Sequence, residues 1–454
     1  MNEPKRYCRM SLPIDRNLNT RERLMADGDE PLRCRGMRDL LPGEMARYRQ
    51  VEESFARVCG EWGYSEIRTP TIEFLHLFTA TGTLSPQMLD RTYTFLDWDG
   101  WSGERVVLRP DATIPAARLY VENLPPGQIA RFFYTQNVFR FSTGEESRED
   151  WQCGVELIGN PSPKGDIELI LLGRALLESL GLRNLEVGLS HAGLVRAVLA
   201  EAGLRAAEQV ATYDRLLDGD LAVLGEIEGR LPDLRSPLHL LFDAKGGGAA
   251  YLDSLREAFV AVLPKMAEPL AELTMIGDML DRLGCQYEIQ TTLVRNFEYY
   301  TGPVFEFRVD GSRVGGGGRY DNLIALVGGE EAPASGFAFA IGDVVSHLWS
   351  VMPTGVGREL WLVRPASDDP QVVAAAFAAA ARLREKGFRA CMGGEFAESE
   401  EARWELSVAL FKGHPRAREP GRMLYRLRNP LTDKTRVYAS VESAISATGA
   451  LAYD

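Results

Sequence analysis

The polar residues of the stretch 139–156, FRFSTGEESREDWQCGVE, are of types and at spacings that could floor a binding site. Arg140 closes one apolar run, a polar turn follows, and Gln152 and Glu156 punctuate a second. A guanidinium presents a fork of donors to a carboxylate or phosphate, a carboxylate accepts from a cation or a ring N–H, and an amide does both. Side chains alternate along a strand, so Arg140 shares a face with Tyr134, Gln136 and Val138, with Phe139 and Phe141 opposite. In the return arm Gln152, Gly154 and Glu156 share one face, and Trp151, Cys153, Val155 and Leu157 take the other. A half-exposed antiparallel sheet with solvated charges shows the same alternation, so the hairpin alone leaves both readings open.

A second group lies upstream. RVVLRPDAT reads as a strand running into a helix, IPAARLYVENL, which puts Arg109, Asp111 and Thr113 at a strand end and facing one way. A polar surface loop fits these residues as well. Downstream, the glycines of GGGGRYD, residues 315–321, mark a backbone that a ligand or another strand approaches closely, or else a flexible hairpin tip.

Several elements must position these groups. Pro42 suits a first helical position, and Met45, Tyr48, Val51, Phe55, Val58 and Trp62 follow at helical spacing. GYSEIRTPTIEF is a turn and an extended segment in which Pro70 suits an edge or an interface. From about 165 to 284 the pattern is mostly helical, interrupted by the strand NLEVGLS; the region 200–290 carries no motif, and its DAKGGGAAY lacks the lysine ending of a phosphate loop. YEIQTTLVRNFEYYTGPVFEFRV returns to β patterning, and SGFAFAIGDVVSHLWSV reads as a strand entering a buried helix. Beyond a boundary near 353–358, a strand, an alanine-rich helix, further strands and a last helix from about Val441 form a small α/β domain, 358–454. Residues 1–30 are polar without periodicity and read as a disordered tail.

At 454 residues the chain exceeds the roughly 250–300 at which one core stops growing, so two or three domains are expected. No apolar run approaches the roughly 20 residues of a membrane helix, and MNEPKRYCRM is no secretory leader, so a cytoplasmic protein is expected with no membrane association. The 6 cysteines are scattered and the 5 histidines isolated, which signals neither a disulfide framework nor a metal site, and no cofactor is expected. A formal charge of −13 argues against a large phosphate-binding surface, although a local basic patch is compatible with it.

Taken in order, the segments from Pro31 to about 353 resemble the catalytic core of histidyl-tRNA synthetase. That resemblance implies an α+β fold, a class II aminoacyl-tRNA synthetase-like antiparallel sheet flanked by helices. RTPTIEF is similar to the family's dimer-interface motif, LRPDAT to its amino-acid loop, 139–156 to its second class II motif, RNFEYY to its histidine-specific motif, and GGGGRYD to its later glycine-rich segment. Carried over, Asp111 and Thr113 would hold the α-amino group of bound histidine, and Gln152 with Tyr299 would frame its polar end. Glu156, Tyr300 and Tyr320 would surround the imidazole, and Arg140 and Arg295 would face carboxylate or phosphate. A carboxylate and phenols suit a ring with two distinct nitrogens, because a wrong ligand leaves them unpaired. Asp111 stands where the synthetases carry glutamate, one methylene longer.

The nucleotide half departs from the family. The glutamate that contacts adenine two positions after the motif arginine is Ser142 here, the loop is shorter, and the arginine of the third motif is replaced by Asp343 in GFAFAIGDVV. A carboxylate at that position reverses attraction for triphosphate into repulsion and removes every N–H donor, so adenylation is expected to be lost. The resemblance thus implies a hairpin that grips an amino acid rather than a nucleotide.

An intact histidine pocket beside a lost ATP site resembles the regulatory subunits of ATP phosphoribosyltransferase, whose LRPDMT and YYTG spellings match LRPDAT and YYTG here. The resemblance implies a chain with no catalytic residues, a homodimer core within a hetero-oligomer. Its partner would be a short catalytic subunit that opens histidine biosynthesis, its effector L-histidine acting as feedback inhibitor, and tRNA is not expected as a ligand. The C-terminal domain resembles a worn anticodon-binding domain; EFAESEEA is too short for the helix expected there. An active synthetase and a free-standing amino-acid sensor are the alternatives, separated by histidine-dependent pyrophosphate exchange and by the presence of a catalytic partner.

Overall fold

The computed structural model describes residues 32–80, 91–98, 103–142, 144, 146–161, 163–217, 220–232, 238, 241, 248–291, 293, 300–348, 360–393, 402–411 and 422–448. Residues 1–30, the stretch 394–400, Arg295 and Tyr299 lie outside them. The chain divides into two compact units, Met1–Met352 and Pro353–Asp454.

In the first unit the apolar stripe after Pro42 folds into α1 (Pro42–Glu61), with Tyr48, Val51, Phe55 and Val58 buried. Trp62, the last residue of the sequence stripe, is the C-cap and stays 36% exposed, because the turn at Gly63 takes the chain off the helix. There follow β1 (Ser65–Glu66), β2 (Ile72–Phe74), α2 (Leu75–Ala80), β3 (Thr94–Trp98), β4 (Gly103–Leu108), α3 (Thr113–Asn123), β5 (Ala130–Phe139), β6 (Glu149–Ile158), α4 (Lys164–Ser179) and β7 (Leu185–His191). A helical region comes next: α5 (Ala192–Glu201), α6 (Ala206–Leu217), α7 (Leu221–Arg230), α8 (Ala249–Phe259) and α9 (Ala267–Arg282). The unit closes with β8 (Tyr287–Ile289), β9 (Pro303–Val309), β10 (Ser312–Arg319), α10 (Leu323–Leu326), β11 (Ala334–Ala340) and α11 (Ile341–Leu348).

Eight strands form one sheet in the order β1-β5-β6-β11-β10-β9-β7-β8. Its interior pairings are antiparallel, as expected; the marginal pairs β1 with β5 and β7 with β8 are parallel. One face is the core: Cys153, Val155 and Leu157 of β6 join Phe305, Phe307, Phe337 and Phe339 beneath α1, α4 and α11. Phe337 and Phe339 meet edge to face at 5.2 Å between centroids, within the range aromatic pairs favour. Each large apolar side chain buried here contributes about 1.5–3 kcal/mol, which fixes the parity of every strand crossing the sheet.

The other face carries a second apolar cluster, with Phe132, Ile158 and Ala334 packed under α3, beside polar residues and glycine. The run Gly315–Gly318 is no hairpin tip: it lies inside β10, between β9 and β11. A Cβ on Gly317 would stand 1.9 Å from the carbonyl oxygen of Gly336, so the neighbouring strand itself demands glycine. A smaller sheet, β2-β4-β3, stands apart from the large one. Pro70 falls between β1 and β2 and breaks no ladder.

The second unit comprises β12 (Leu360–Pro365), α12 (Pro370–Glu385), β13 (Arg389–Met392), β14 (Ala402–Leu410), β15 (Met423–Arg428), β16 (Thr435–Tyr438) and α13 (Val441–Ser446). Its five strands run β13-β12-β14-β15-β16 around a core of Trp361, Trp404, Leu406 and Leu427 under the alanines of α12. Among the described residues, no helix is long and apolar enough to cross a membrane.

Candidate functional site

The polar face of the large sheet floors a cavity of about 870 Å³. Asp111, Thr113, Arg140, Gln152, Tyr300 and Tyr320 all line it, so residues far apart in sequence converge on one space. Glu156 sits under this lining, 1% exposed, and Tyr134 and Tyr320 close over it.

Glu156 reaches this place because β6 alternates: Cys153, Val155 and Leu157 face the core, so Gln152 and Glu156 face the cavity. Tyr134 donates to Glu156 Oε1 at 2.9 Å, Tyr320 donates to Oε2, and the Thr113 side chain also bonds the carboxylate. Burial pushes the Glu156 carboxyl up to about 8, against the pull of those three hydroxyls. Space for this carboxylate is made by glycine. A Cβ on Gly336 would lie 2.0 Å from Glu156 Oε2 and 2.7 Å from the Tyr320 hydroxyl.

Asp111 holds the opposite wall. Its Oδ1 accepts from the Ile114 backbone N–H at 2.9 Å, so the carboxylate caps the first turn of α3 while bordering the cavity. Burial raises its pKa, and the backbone N–H groups of Ile114 and Thr113 and the charge of Arg140 oppose the rise. Arg140 is fixed by its Nε–H, which donates to the Pro110 carbonyl at 3.1 Å, leaving the guanidinium beside the cavity. Burial raises the Tyr300 hydroxyl too, so it stays a neutral donor and acceptor.

Arg109 does not share this site. β4 ends at Leu108 and Thr113 already opens a helix, so the strand alternation expected through 109–113 fails. The Arg109 guanidinium, 4% exposed, turns inward instead: it donates to the carbonyls of Thr69, Pro70 and Asn137 at 2.9, 3.1 and 2.7 Å and to the Asn137 side chain at 2.8 Å. It also donates to Gln136, which in turn accepts from the Thr69 hydroxyl. Gln136 is therefore a structural partner rather than part of the floor.

The outer end of the cavity is lined by Arg38, Arg91 and Arg313, none singled out from sequence, and by Asp150 and Asp343. Burial raises the pKa of Asp343, with Arg313 and His347 pulling it down. A guanidinium is thus within electrostatic reach of Asp343, but from β10 and not from the helix that follows β11. Tyr134, a donor to Glu156, carries only its parity with Arg140 as a signal in the sequence. Among the described residues no group of three or more His, Cys, Asp or Glu side chains is arranged to hold a metal ion.

A family model described as histidyl-tRNA synthetase matches residues 36–344. The chain is 50% identical over 314 residues to an ATP phosphoribosyltransferase regulatory subunit of Dehalococcoides mccartyi (strain BAV1), covering 69% of this chain and 76% of that one. It is 34% identical over 353 residues to the histidine–tRNA ligase of Methanosarcina acetivorans, covering 74% and 79%. A crystal structure from Bacillus halodurans C, described as an ATP phosphoribosyltransferase regulatory subunit/histidyl-tRNA synthetase, superposes with a TM-score of 0.67 at 26% identity over 83% of this chain and 95% of that one. The apo histidyl-tRNA synthetase of S. aureus superposes with a TM-score of 0.62 at 22% identity over 92% and 99%, a likeness of fold.

Proposed function

The chain belongs to the histidyl-tRNA synthetase family, among its ATP phosphoribosyltransferase regulatory subunits, and from that premise we propose that it is a non-catalytic subunit whose cavity senses L-histidine. It would assemble, as a homodimer core, with a short catalytic phosphoribosyltransferase chain and bring feedback inhibition to the first step of histidine biosynthesis.

The observation that carries this reading is Glu156, buried beneath two phenols at the closed end of a cavity whose open end bears Asp343. A ligand imidazole offers one N–H and one lone pair, or two N–H groups when protonated. Glu156 can accept from a ring N–H once ionised, and the Tyr320 or Tyr300 hydroxyl can serve the second nitrogen. An ammonium beside Asp111 and a carboxylate beside Arg140 and Gln152 complete histidine's set of groups. Arg295 and Tyr299 are proposed in the same pocket on the family resemblance. Each charged hydrogen bond of this kind contributes about 1.5–3 kcal/mol.

The open end supports the non-catalytic half of the reading. Adenylation needs cations on the triphosphate as charge develops, and here Asp343 and Asp150 share the space with the arginines. Feedback then requires that histidine favour one assembly state, a coupling of about 1–3 kcal/mol.

Calorimetric titration of the purified chain with L-histidine and, separately, with magnesium ATP tests the proposal. Histidine is expected to bind and ATP to give no heat. Histidine-dependent pyrophosphate exchange at synthetase rates would overturn the non-catalytic role in favour of an active ligase. Failure to co-purify with a catalytic phosphoribosyltransferase chain of the same host would favour a free-standing sensor.

A further inference from the structure

On the core side of β10 lies an ionic cluster that the binding site does not use, buried at Arg319, Asp166 and His191 and partly exposed at Glu272. Arg319, one residue before Tyr320, is 7% exposed. Its Nη2 donates to Asp166 of α4 at 2.7 Å and its Nη1 to Glu272 of α9 at 3.1 Å. Glu272 Oε2 also lies 3.0 Å from His191 Nε2. The Gly193 N–H donates to His191 Nδ1 at 3.0 Å, so the ring proton is on Nε2 and is given to Glu272. That hydrogen bond, with the charge of Arg319, holds the Glu272 carboxyl at about 2.

The same helical region grips the cavity a second time. Arg196 of α5 donates to the carbonyl of Tyr300 at 3.0 Å, and the Ala192 N–H at the start of that helix donates to the Gly302 carbonyl at 3.0 Å. Residues 300–302 are in turn stitched to the end of β10: Thr301 N–H donates to the Arg319 carbonyl at 2.8 Å and Asp321 N–H to the Thr301 hydroxyl at 3.0 Å. Tyr300 and Tyr320, the two phenols that line the cavity, are therefore each within one residue of a bond to α5 or α9.

We propose that the helical region 192–282 is the element that reports occupation of the cavity, and that Glu272 and Arg196 are the positioning residues through which Tyr320 and Tyr300 and that region move together. This rests on the histidine-sensing reading for its ligand, but the mechanical link stands on the ligand-free geometry. Arg319, buried and bonded to both α4 and α9, resists independent displacement, because parting it from these carboxylates leaves a desolvated charge with fewer partners. A ligand that draws Tyr300 and Tyr320 inward must take residues 300–302 and Arg319 with them, and through these α5 and α9.

Hydrogen exchange of the full chain, followed by mass spectrometry, tests the link in two arms. In the first, saturating L-histidine is expected to slow exchange across 192–201 and 267–282 by about fivefold or more, the low end of measured couplings. Glu272→Gln and Arg196→Met are expected to keep calorimetric heat with histidine and lose that slowing. In the second arm, without ligand, Tyr320→Phe is expected to quicken exchange across 267–282 by a similar factor, with thermal midpoints checked to confirm a folded chain. Exchange at 267–282 that responds in neither arm overturns the link. Absence of heat with histidine would instead refute the sensing reading, and the ligand-free arm would then decide the link by itself.

Discussion

The hydroxyl of Tyr320, the residue that follows β10, donates to Glu156, while its neighbour Arg319 points to the opposite face of the sheet, to Asp166 and Glu272. Recognition and the rigid frame thus meet on consecutive residues. A side chain held this way loses little freedom when a ligand arrives, which favours tight binding.

Replacing Glu156 tests the recognition half. Glu156→Ala is expected to weaken histidine binding by about 1.5–3 kcal/mol, roughly 10- to 150-fold in Kd, because it removes a charged acceptor from the ring. Isothermal titration against wild type measures this, and an unchanged Kd would mean that the imidazole lies elsewhere.

Glu156 should also leave a signature in stability against pH. Its folded pKa, about 8, lies above the ordinary 4.5, so between these values the folded chain holds a proton that the unfolded chain releases. Stability must then fall as pH rises through that window, by up to about 1.4 kcal/mol per pH unit. Glu156→Gln is expected to abolish this slope. The difference in Tm between wild type and variant, recorded from pH 5 to 9, checks it; parallel curves would show that the carboxyl is ionised throughout.

Asp343→Arg is expected to yield no histidine-dependent pyrophosphate exchange and no charging of tRNA. The new guanidinium would enter a space already lined by Arg313, and Ser142 would still stand where the synthetases contact adenine. Measurable charging by this single variant would show that one residue alone separates the chain from a ligase.

Arg109→Lys is expected to destabilise the first unit by about 2–5 kcal/mol while leaving its charge intact. An ammonium cannot reach the carbonyls of Thr69, Pro70 and Asn137 together with Gln136, and each acceptor left bare in the interior costs about 1–3 kcal/mol. Denaturant unfolding measures the loss; wild-type stability would mean that the clamp is dispensable.

Local patterning made much of this architecture readable. The stripe from Tyr48 to Val58 and the alternation Cys153, Val155, Leu157 depend only on period and burial, and both appear where expected. The antiparallel synthetase-like sheet and its family follow from motif order. What stayed hidden is set by contacts distant in sequence. Strand alternation through LRPDAT puts Arg109 on one face with Asp111 and Thr113, yet its partners begin 40 positions upstream at Thr69. His191 and Glu272 stand 81 positions apart and carry no spacing signal. Arg38, Arg91 and Arg313 come to the cavity from three separate segments, each unremarkable by itself.

The bare stretch Gly315–Gly318 confines where ligand preference can change. A side chain at Gly315 or Gly316, which line the cavity, would collide with the backbone of β11 or β9, so that wall cannot be rewritten one substitution at a time. Any drift toward a different amino acid must begin at Gln152, Asp111 or the phenols around Glu156, where a change of side chain alters chemistry without first breaking the sheet.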